Sequence, residues 1–190
     1  MKNIFMVLVC LVVSFSFTAQ ASREKDSHEH GAANVMLAME GEKLQLNFEV
    51  PSESLIGFEH FPKSQDQRWY FNEAIKTLLE PSKLFSIPAN AECLLVGIKV
   101  SQSLFSAEDE HGHDEKDEHG HDESDKSEIH SEFSSKYHWN CEHLDEIDSI
   151  ATQLMNIFPR IEEIRVRWIT KNNQGSIELE SKDDRIKGWK

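Results

Sequence analysis

Apolar and polar residues alternate along two stretches near the start of the chain. The apolar residues stand at every second position on either side of Gly41: Val35, Leu37 and Met39 before it, and Leu44, Leu46, Phe48 and Val50 after it. A period of two is typical of β-strands that bury one face. The pattern predicts a β-hairpin with one buried face and a turn at Gly41.

The period changes to that of a helix after Ser64. The apolar residues that recur at helical spacing are Phe71, Ala74, Ile75, Leu78 and Leu79. Ser64 and Gln67 have the spacing of a capping box, and Pro81 marks the end of the segment. One helix is therefore predicted between Ser64 and Pro81.

Alternation returns in the second half of the chain. A third strand is predicted from Val96, Ile98 and Val100, a fourth from Phe133, Tyr137, Trp139 and Cys141, and a second hairpin from Ile164, Val166, Trp168, Ile177 and Leu179, which flank a turn at residues 172–175. Half-solvated strands with few helices are typical of an α+β fold. We expect a mostly antiparallel sheet with one or two helices packed on it.

The segment 144–158 fits two different structures. Helical spacing connects Ile147, Ile150, Ala151, Leu154 and Phe158, whereas Ile150, Thr152 and Leu154 alternate as a strand would before a helical turn near Pro159. Short apolar runs do not distinguish a strand from a helix by their period. The sequence leaves both structures open.

The first 21 residues have the pattern of an export signal. Lys2 precedes an apolar run from Ile4 to Phe17, and residues 19–21 supply the small side chains of a cleavage site. The run is too short to span a bilayer as a permanent anchor. We expect a signal peptide at residues 1–21 and one α+β domain at residues 22–190, secreted to the periplasm.

The formal net charge of −14 limits the partners of the protein. An acidic chain is repelled by phosphate backbones and by anionic lipid surfaces. Nucleic-acid binding and stable membrane insertion are therefore not expected, and cationic partners are favoured.

An eight-residue repeat forms the most unusual part of the chain. Residues 111–118 and 119–126 share six of eight identities and contain no apolar residue, and twelve carboxylates face only two lysines between Glu108 and Glu132. Such a segment cannot bury enough surface to offset its ordering entropy. We expect a disordered loop at about residues 106–131, inserted between two central strands and named here the histidine-acid loop.

The histidine-acid loop contains the donor groups of a metal site. Each repeat offers two imidazoles around a glycine and then a carboxylate; the predicted ligands are His111, His113, Asp114, His119, His121 and Asp122. Neutral imidazole is the commonest protein ligand of transition metals, and two such units complete a four-coordinate shell. Zinc is favoured, and copper(II) or nickel(II) would also bind in vitro. The alternative, a solubilising acidic linker, explains the carboxylates but not the recurring histidines.

Histidines outside the repeat form a second group of candidates. His28 and His30 lie just before the first strand, His60 in the connection before the helix, His130 where the loop ends and His138 on the outer face of the fourth strand. A loop or surface histidine without a ligand role is an equally simple interpretation for each of them. His143 is given no role beyond following Cys141.

Cys93 and Cys141 are a pair outside the expected signal peptide. In an oxidising compartment a disulfide between them is the default expectation. Because the histidine-acid loop lies between the two cysteines, we expect the bridge to close the base of that loop.

Motifs of catalysis are absent from the sequence. It contains no His-Glu-x-x-His, no Gly-x-Ser-x-Gly and no glycine loop of the phosphate-binding type. A hydrolytic zinc also needs rigid ligands and an open position, which a flexible repeat does not provide. The sequence indicates a binding protein without catalytic residues.

The chain resembles the ZrgA-type family of zinc-regulated periplasmic zinc-binding proteins. The matching elements, in the family's order, are residues 28–31, the motif Gly-Phe-Glu-His-Phe-Pro at 57–62, Cys93, the histidine-acid loop, residues 130–141 and Phe158-Pro159. The resemblance implies a periplasmic protein that binds several zinc ions and supports zinc acquisition when the metal is scarce. It also favours a strand within residues 144–158.

Three functional hypotheses follow. The first is capture of zinc by the histidine-acid loop and by ordered histidines, with delivery to a zinc importer. The second is a metal-gated module that binds a partner when zinc neutralises the loop, or a general buffer of divalent copper and nickel. The third, which has the least support, is a zinc hydrolase.

Overall fold

The structure is a computed structural model, and it describes residues 30–103 and 131–190. The strands are β1 (Ala32–Glu40), β2 (Lys43–Pro51), β3 (Phe85–Ser86), β4 (Cys93–Gln102), β5 (Glu132–Cys141), β6 (Ser149–Thr152), β7 (Glu163–Thr170), β8 (Gln174–Leu179) and β9 (Arg185–Lys187). The α-helices are α1 (Ser52–Ile56), α2 (Gln65–Leu78), α3 (Pro81–Leu84) and α4 (Leu154–Ile157).

Six strands form the main sheet in the order β4-β5-β2-β1-β7-β8, and β3-β6-β9 form a smaller sheet. Only the β1–β7 pair of the main sheet is parallel. The predicted α+β fold with a mostly antiparallel sheet is confirmed. The histidine-acid loop connects β4 to β5, and residues 104–130 lie outside the described residues.

Both predicted hairpins are present. β1 and β2 pair from Asn34 with Glu49 to Glu40 with Lys43, and every apolar residue that predicted this hairpin is buried. Gly41, in the turn, has a φ of 61°, which glycine adopts without steric cost. β7 and β8 form the second hairpin, although Gln174 and Gly175, predicted as part of its turn, belong to β8.

The predicted helix is α2, and its capping box is formed. The Gln67 amide donates to Ser64 Oγ at 3.1 Å, and the Ser64 amide donates to Gln67 Oε1 at 3.3 Å. Helix and sheet are joined by Tyr137, whose hydroxyl donates to the Leu78 carbonyl at 2.8 Å. Burial raises the pKa of Tyr137 to about 12, because the ionised phenolate would lose its hydration.

The segment that the sequence left open contains a strand and a short helix. A 3-10 turn at Leu144–Glu146 precedes β6, and α4 follows it. β6 pairs with β3 on one side and β9 on the other, so both of its edges have backbone partners. These partners come from distant parts of the chain, which explains why the local period could not distinguish a strand from a helix.

The third predicted strand, β4, is confirmed and lies at the edge of the main sheet. Its apolar side chains are therefore only partly covered: Val96 is 52% exposed and Ile98 is 38% exposed. A bulge between Leu95 and Gly97 shifts its register with β5. Irregularity of this kind discourages pairing with a further chain at an edge.

The predicted disulfide joins Cys93 to Cys141, but its expected position was wrong. The bridge lies where β4 begins and β5 ends, whereas the histidine-acid loop leaves from the opposite ends of these strands. Nine residue pairs connect the two ends, from Cys93–Cys141 to Gln102–Phe133, a distance of about 30 Å at strand rise. The disulfide therefore does not close the base of the loop.

Within the described ranges, no helix has the length and apolar character needed to cross a bilayer.

Candidate metal-binding site

The strands bring several sequence-predicted residues to one end of the main sheet. β1 and β7 begin there, β2 and β4 end there, and β5 begins there, as the pairs Ala32–Glu163, Pro51–Glu132 and Gln102–Phe133 show. We call this edge the loop end, and the edge that carries the Cys93–Cys141 bridge the disulfide end.

Hydrogen bonds fix the points where the histidine-acid loop leaves and rejoins the sheet. The Ser103 amide donates to the Glu132 carbonyl at 3.0 Å, and the Glu132 amide donates to Ser103 Oγ at 2.8 Å. Ser131 is buried; its carbonyl accepts from the Ser52 amide at 2.8 Å and its hydroxyl donates to the Glu59 carbonyl at 3.1 Å. The loop therefore rejoins the sheet beside α1 and the segment that carries His60.

His30 lies at the loop end immediately before β1. Its Nδ1 is 3.2 Å from Glu53 Oε2 on α1, and the Gly31 amide donates to Ser54 Oγ at 2.9 Å. An ionised carboxylate can only accept, so this hydrogen bond requires a proton on Nδ1, and the neutral form of such a ring has its lone pair on Nε2. The His30 side chain is 61% exposed, and this lone pair is accessible to a metal.

His60 has the same protonation pattern for a different reason. Its Nδ1 donates to the Phe61 carbonyl at 2.8 Å, which again leaves the Nε2 lone pair available. Its ring stacks on Phe58 with centroids 5.3 Å apart. Gly57 ends α1 with a φ of 86°, and a Cβ there would lie 2.9 Å from the guanidinium group of Arg160. These contacts account for Gly57 and Phe58 in the motif at 57–62.

His138 differs from both of these histidines. It lies on the outer face of β5, between the buried Tyr137 and Trp139, and nearer to the disulfide end than to the loop end. The Gln45 amide nitrogen donates to its Nδ1 at 3.0 Å. With Gln45 as the donor, the neutral ring carries its proton on Nε2, and binding of a metal there requires a change of tautomer and a turn of the Gln45 amide. The geometry favours His30 and His60 over His138 as ligands.

The remaining predicted ligands lie outside the described residues. They are His28, His111, His113, Asp114, His119, His121, Asp122 and His130. Their role as ligands stays a prediction. His30 and His60 are not part of a closed group of three ligand atoms within residues 30–103 and 131–190.

One group of three ligand atoms is present in the described part of the chain, and the sequence did not predict it. Ligand atoms of Glu92, Glu142 and His143 all lie within 4.8 Å of one another at the disulfide end. Fifty residues separate Glu92 from Glu142, so no local spacing reveals the group. Each glutamate does adjoin a cysteine of the expected disulfide, and this was the available signal.

Fold and site together show an α+β protein in which two exposed histidines lie at the end of the sheet that carries an acidic, histidine-bearing connection. Residues 27–188 match the family model described as ZrgA family zinc uptake protein, and the chain belongs to this family. The resemblance noted from the sequence is confirmed. Comparison with curated proteins gives no match to the chain. Membership associates the protein with zinc and with zinc uptake.

Proposed function

We propose that the protein captures zinc outside the cytoplasm at the loop end of its sheet and passes it to a zinc importer. The observation that carries this proposal is the hydrogen bond that His30 and His60 each make through Nδ1. Both rings have Nδ1 at hydrogen-bond distance from an oxygen that can only accept, which in the neutral ring leaves the Nε2 lone pair for a metal. A zinc-bound histidine usually donates its other ring N–H to a carboxylate or carbonyl oxygen.

The histidine-acid loop would supply the other ligands. Ser103 and Ser131, the described residues on either side of residues 104–130, lie at the loop end, and the Ser131–Glu59 hydrogen bond places Ser131 beside the segment that carries His60. An extended chain spans up to about 3.3–3.6 Å per residue, so loop histidines can reach both ordered imidazoles. His28, two residues before His30, is a further donor. Zinc accepts such mixed nitrogen and oxygen ligands in a tetrahedral shell.

Delivery requires that the ion can leave as well as bind. Several weak sites on one tethered segment permit stepwise exchange, whereas a closed four-ligand site of the structural type holds its ion. The excess of carboxylates in the loop also attracts cations over longer range. The family description, zinc uptake, supports transfer to an importer as the physiological use.

Exchange of the loop histidines tests the proposal. In one variant His111, His113, His119 and His121 become glutamine; in the matched control Glu110, Glu115, Glu118 and Glu123 become glutamine. Zinc binding to residues 22–190 is measured by calorimetry and by metal analysis after dialysis. We expect the histidine variant to bind fewer zinc ions than the control. Equal stoichiometry in the histidine variant and the unaltered chain would refute capture by the loop.

A further inference from the structure

The disulfide end contains a cluster of ligands that the proposed function does not use. Glu92 stands directly before Cys93, and Glu142 and His143 stand directly after Cys141. All three are exposed, and their ligand atoms are within 4.8 Å of one another. Two ligand atoms of a tetrahedral zinc ion are about 3.4 Å apart. Small side-chain rotations are therefore enough to bring the three atoms around one ion.

Covalent and backbone bonds hold the two segments in place. The Cys93–Cys141 disulfide joins them, the His143 amide donates to the Ala91 carbonyl at 3.1 Å, and the Glu142 amide donates to the Glu92 carbonyl at 3.4 Å. The main chain of the cluster is thus fixed before any ion binds. Preorganisation of this kind reduces the entropy lost on binding.

Within the described residues, no ion pair balances the charge of the cluster. No lysine or arginine in residues 30–103 and 131–190 forms an ion pair with Glu92 or Glu142. Lys171 and Lys190 line the same cavity as Glu142; Lys190 pairs with Asp148, and no ion pair joins Lys171 to Glu142 in the described residues. Two carboxylates and one imidazole without a counterion form a donor set that a divalent cation would neutralise.

The backbone conformation of Glu92 is also consistent with a ligand role. Its φ of 49° is left-handed, and it is the one non-glycine residue of the described chain with a positive φ. Glycine or asparagine adopts this conformation at lower cost, but neither supplies a carboxylate. A ligand role for the side chain would account for glutamate at this position.

We propose that Glu92, Glu142 and His143 form a zinc-binding site at the disulfide end, separate from the loop end, in which water occupies the fourth position. Two oxygens and one nitrogen from the protein leave one position open for exchange. The site lies on the scaffold and does not depend on the histidine-acid loop, so it goes beyond the function proposed above.

Imidazole NMR of the processed chain, residues 22–190, tests the site directly. His143 ring nitrogen signals, assigned by comparison with His143→Gln, are followed during titration with zinc chloride. We expect these signals to shift and the zinc affinity at His143 to fall at least about tenfold in Glu92→Asn and in Glu142→Gln. The matched control Glu146→Gln, on the same segment and bonded to Asn90, should bind as the unaltered chain does.

Each outcome decides for or against the site. Asparagine tolerates the backbone of residue 92, so Glu92→Asn should unfold at the same or a higher temperature, and a lost response is then a loss of ligand. Unmoved His143 signals, equal affinity in all the glutamate variants, or an effect of only one of the two glutamates would overturn the three-ligand site.

The titration is repeated in the variant that lacks the loop histidines, which separates the two proposals. A persistent His143 response with unchanged total stoichiometry would reject the loop proposal and support the disulfide-end site. Lower stoichiometry with no His143 response would support the loop proposal and reject the disulfide-end site.

Discussion

The hydrogen bond at Nδ1 differs among the three ordered histidines that are candidate ligands. At His30 and His60 an oxygen accepts the Nδ1 proton, whereas at His138 an amide nitrogen donates to Nδ1. All three residues are histidines, and no local sequence pattern shows which of their ring nitrogens is hydrogen-bonded. Their difference arises from contacts to Glu53, to a local carbonyl and to Gln45.

Glutamine at these positions tests the distinction. We expect His30→Gln and His60→Gln each to weaken zinc binding at the loop end by about tenfold or more, because each removes an available Nε2 lone pair. His138→Gln is the matched control and should have no effect. Competition with a zinc-sensitive dye measures the affinities. Equal losses in all three variants would contradict the protonation argument.

Tyr137 permits a second prediction at this scale, on stability. Its hydroxyl donates to the Leu78 carbonyl at 2.8 Å in the core. Tyr137→Phe removes this bond and should lower the free energy of unfolding by about 1–2 kcal/mol at pH 7. Chemical unfolding measures the change. The matched control is Tyr70→Phe. Tyr70 is the other tyrosine of the chain and is exposed, so this change should leave the free energy of unfolding unchanged.

The same residue predicts how stability depends on alkaline pH. The pKa of Tyr137 is about 12 in the folded chain and about 10 when unfolded, so between these values the unfolded state binds fewer protons. Stability conferred by Tyr137 is therefore complete below about pH 10 and falls as pH rises towards 12, by about 2–3 kcal/mol. Tyr137→Phe should lack this component; an identical pH slope in both proteins would contradict it.

Among the elements, the paired strands β4 and β5 connect the two ends of the sheet. Their pairing places the anchored loop residues at one end and the disulfide at the other. A chain segment between two cysteines need not be closed by their bridge, because paired strands can intervene. The disulfide instead organises Glu92, Glu142 and His143.

Removal of the bridge tests this assignment. In the variant with both Cys93→Ala and Cys141→Ala, we expect the free energy of unfolding to fall by up to about 4 kcal/mol. This is the chain-entropy estimate for a separation of 48 residues. We also expect weaker zinc binding at His143, observed in its ring nitrogen signals, and unchanged binding at the loop end about 30 Å away. Loss of zinc binding at the loop end alone would contradict the separation of the two sites.

At the scale of the whole molecule, the two ends of one sheet offer different ligands. The loop end combines exposed imidazoles with the acidic connection, and the disulfide end offers two carboxylates and one imidazole on a fixed backbone. We infer that the loop end concentrates zinc and that the disulfide end provides a more ordered position. The net charge of −14 favours cations at both.

Protons should compete with zinc for the whole protein. An imidazole ligand must be neutral, and its ordinary pKa is about 6.5, so zinc affinity should fall steeply as pH decreases from 7 to 5. Carboxylate ligands would lose little affinity over this range, since they ionise near pH 4. Calorimetry at both pH values measures the effect. Full affinity at pH 5 would identify carboxylates as the main ligands.

Local patterns in the sequence determined the hairpins, the capped helix α2 and the strands β4 and β5, because periods of two and 3.6 residues report directly on which side of an element is buried. Composition likewise determined the candidate ligands, and the cysteine count determined the bridge. These properties depend on neighbouring residues or on simple chemistry.

Only the tertiary structure decided the strand within residues 144–158, the distance between the bridge and the loop, and the meeting of Glu92 with Glu142 and His143. Each depends on which distant segments become neighbours, and β6 exists because β3 and β9 satisfy its backbone. The proton position in His30, His60 and His138 was decided in the same way. Hydrogen-bond partners assembled by folding have no counterpart in a local pattern, because they come from segments that are distant in the sequence.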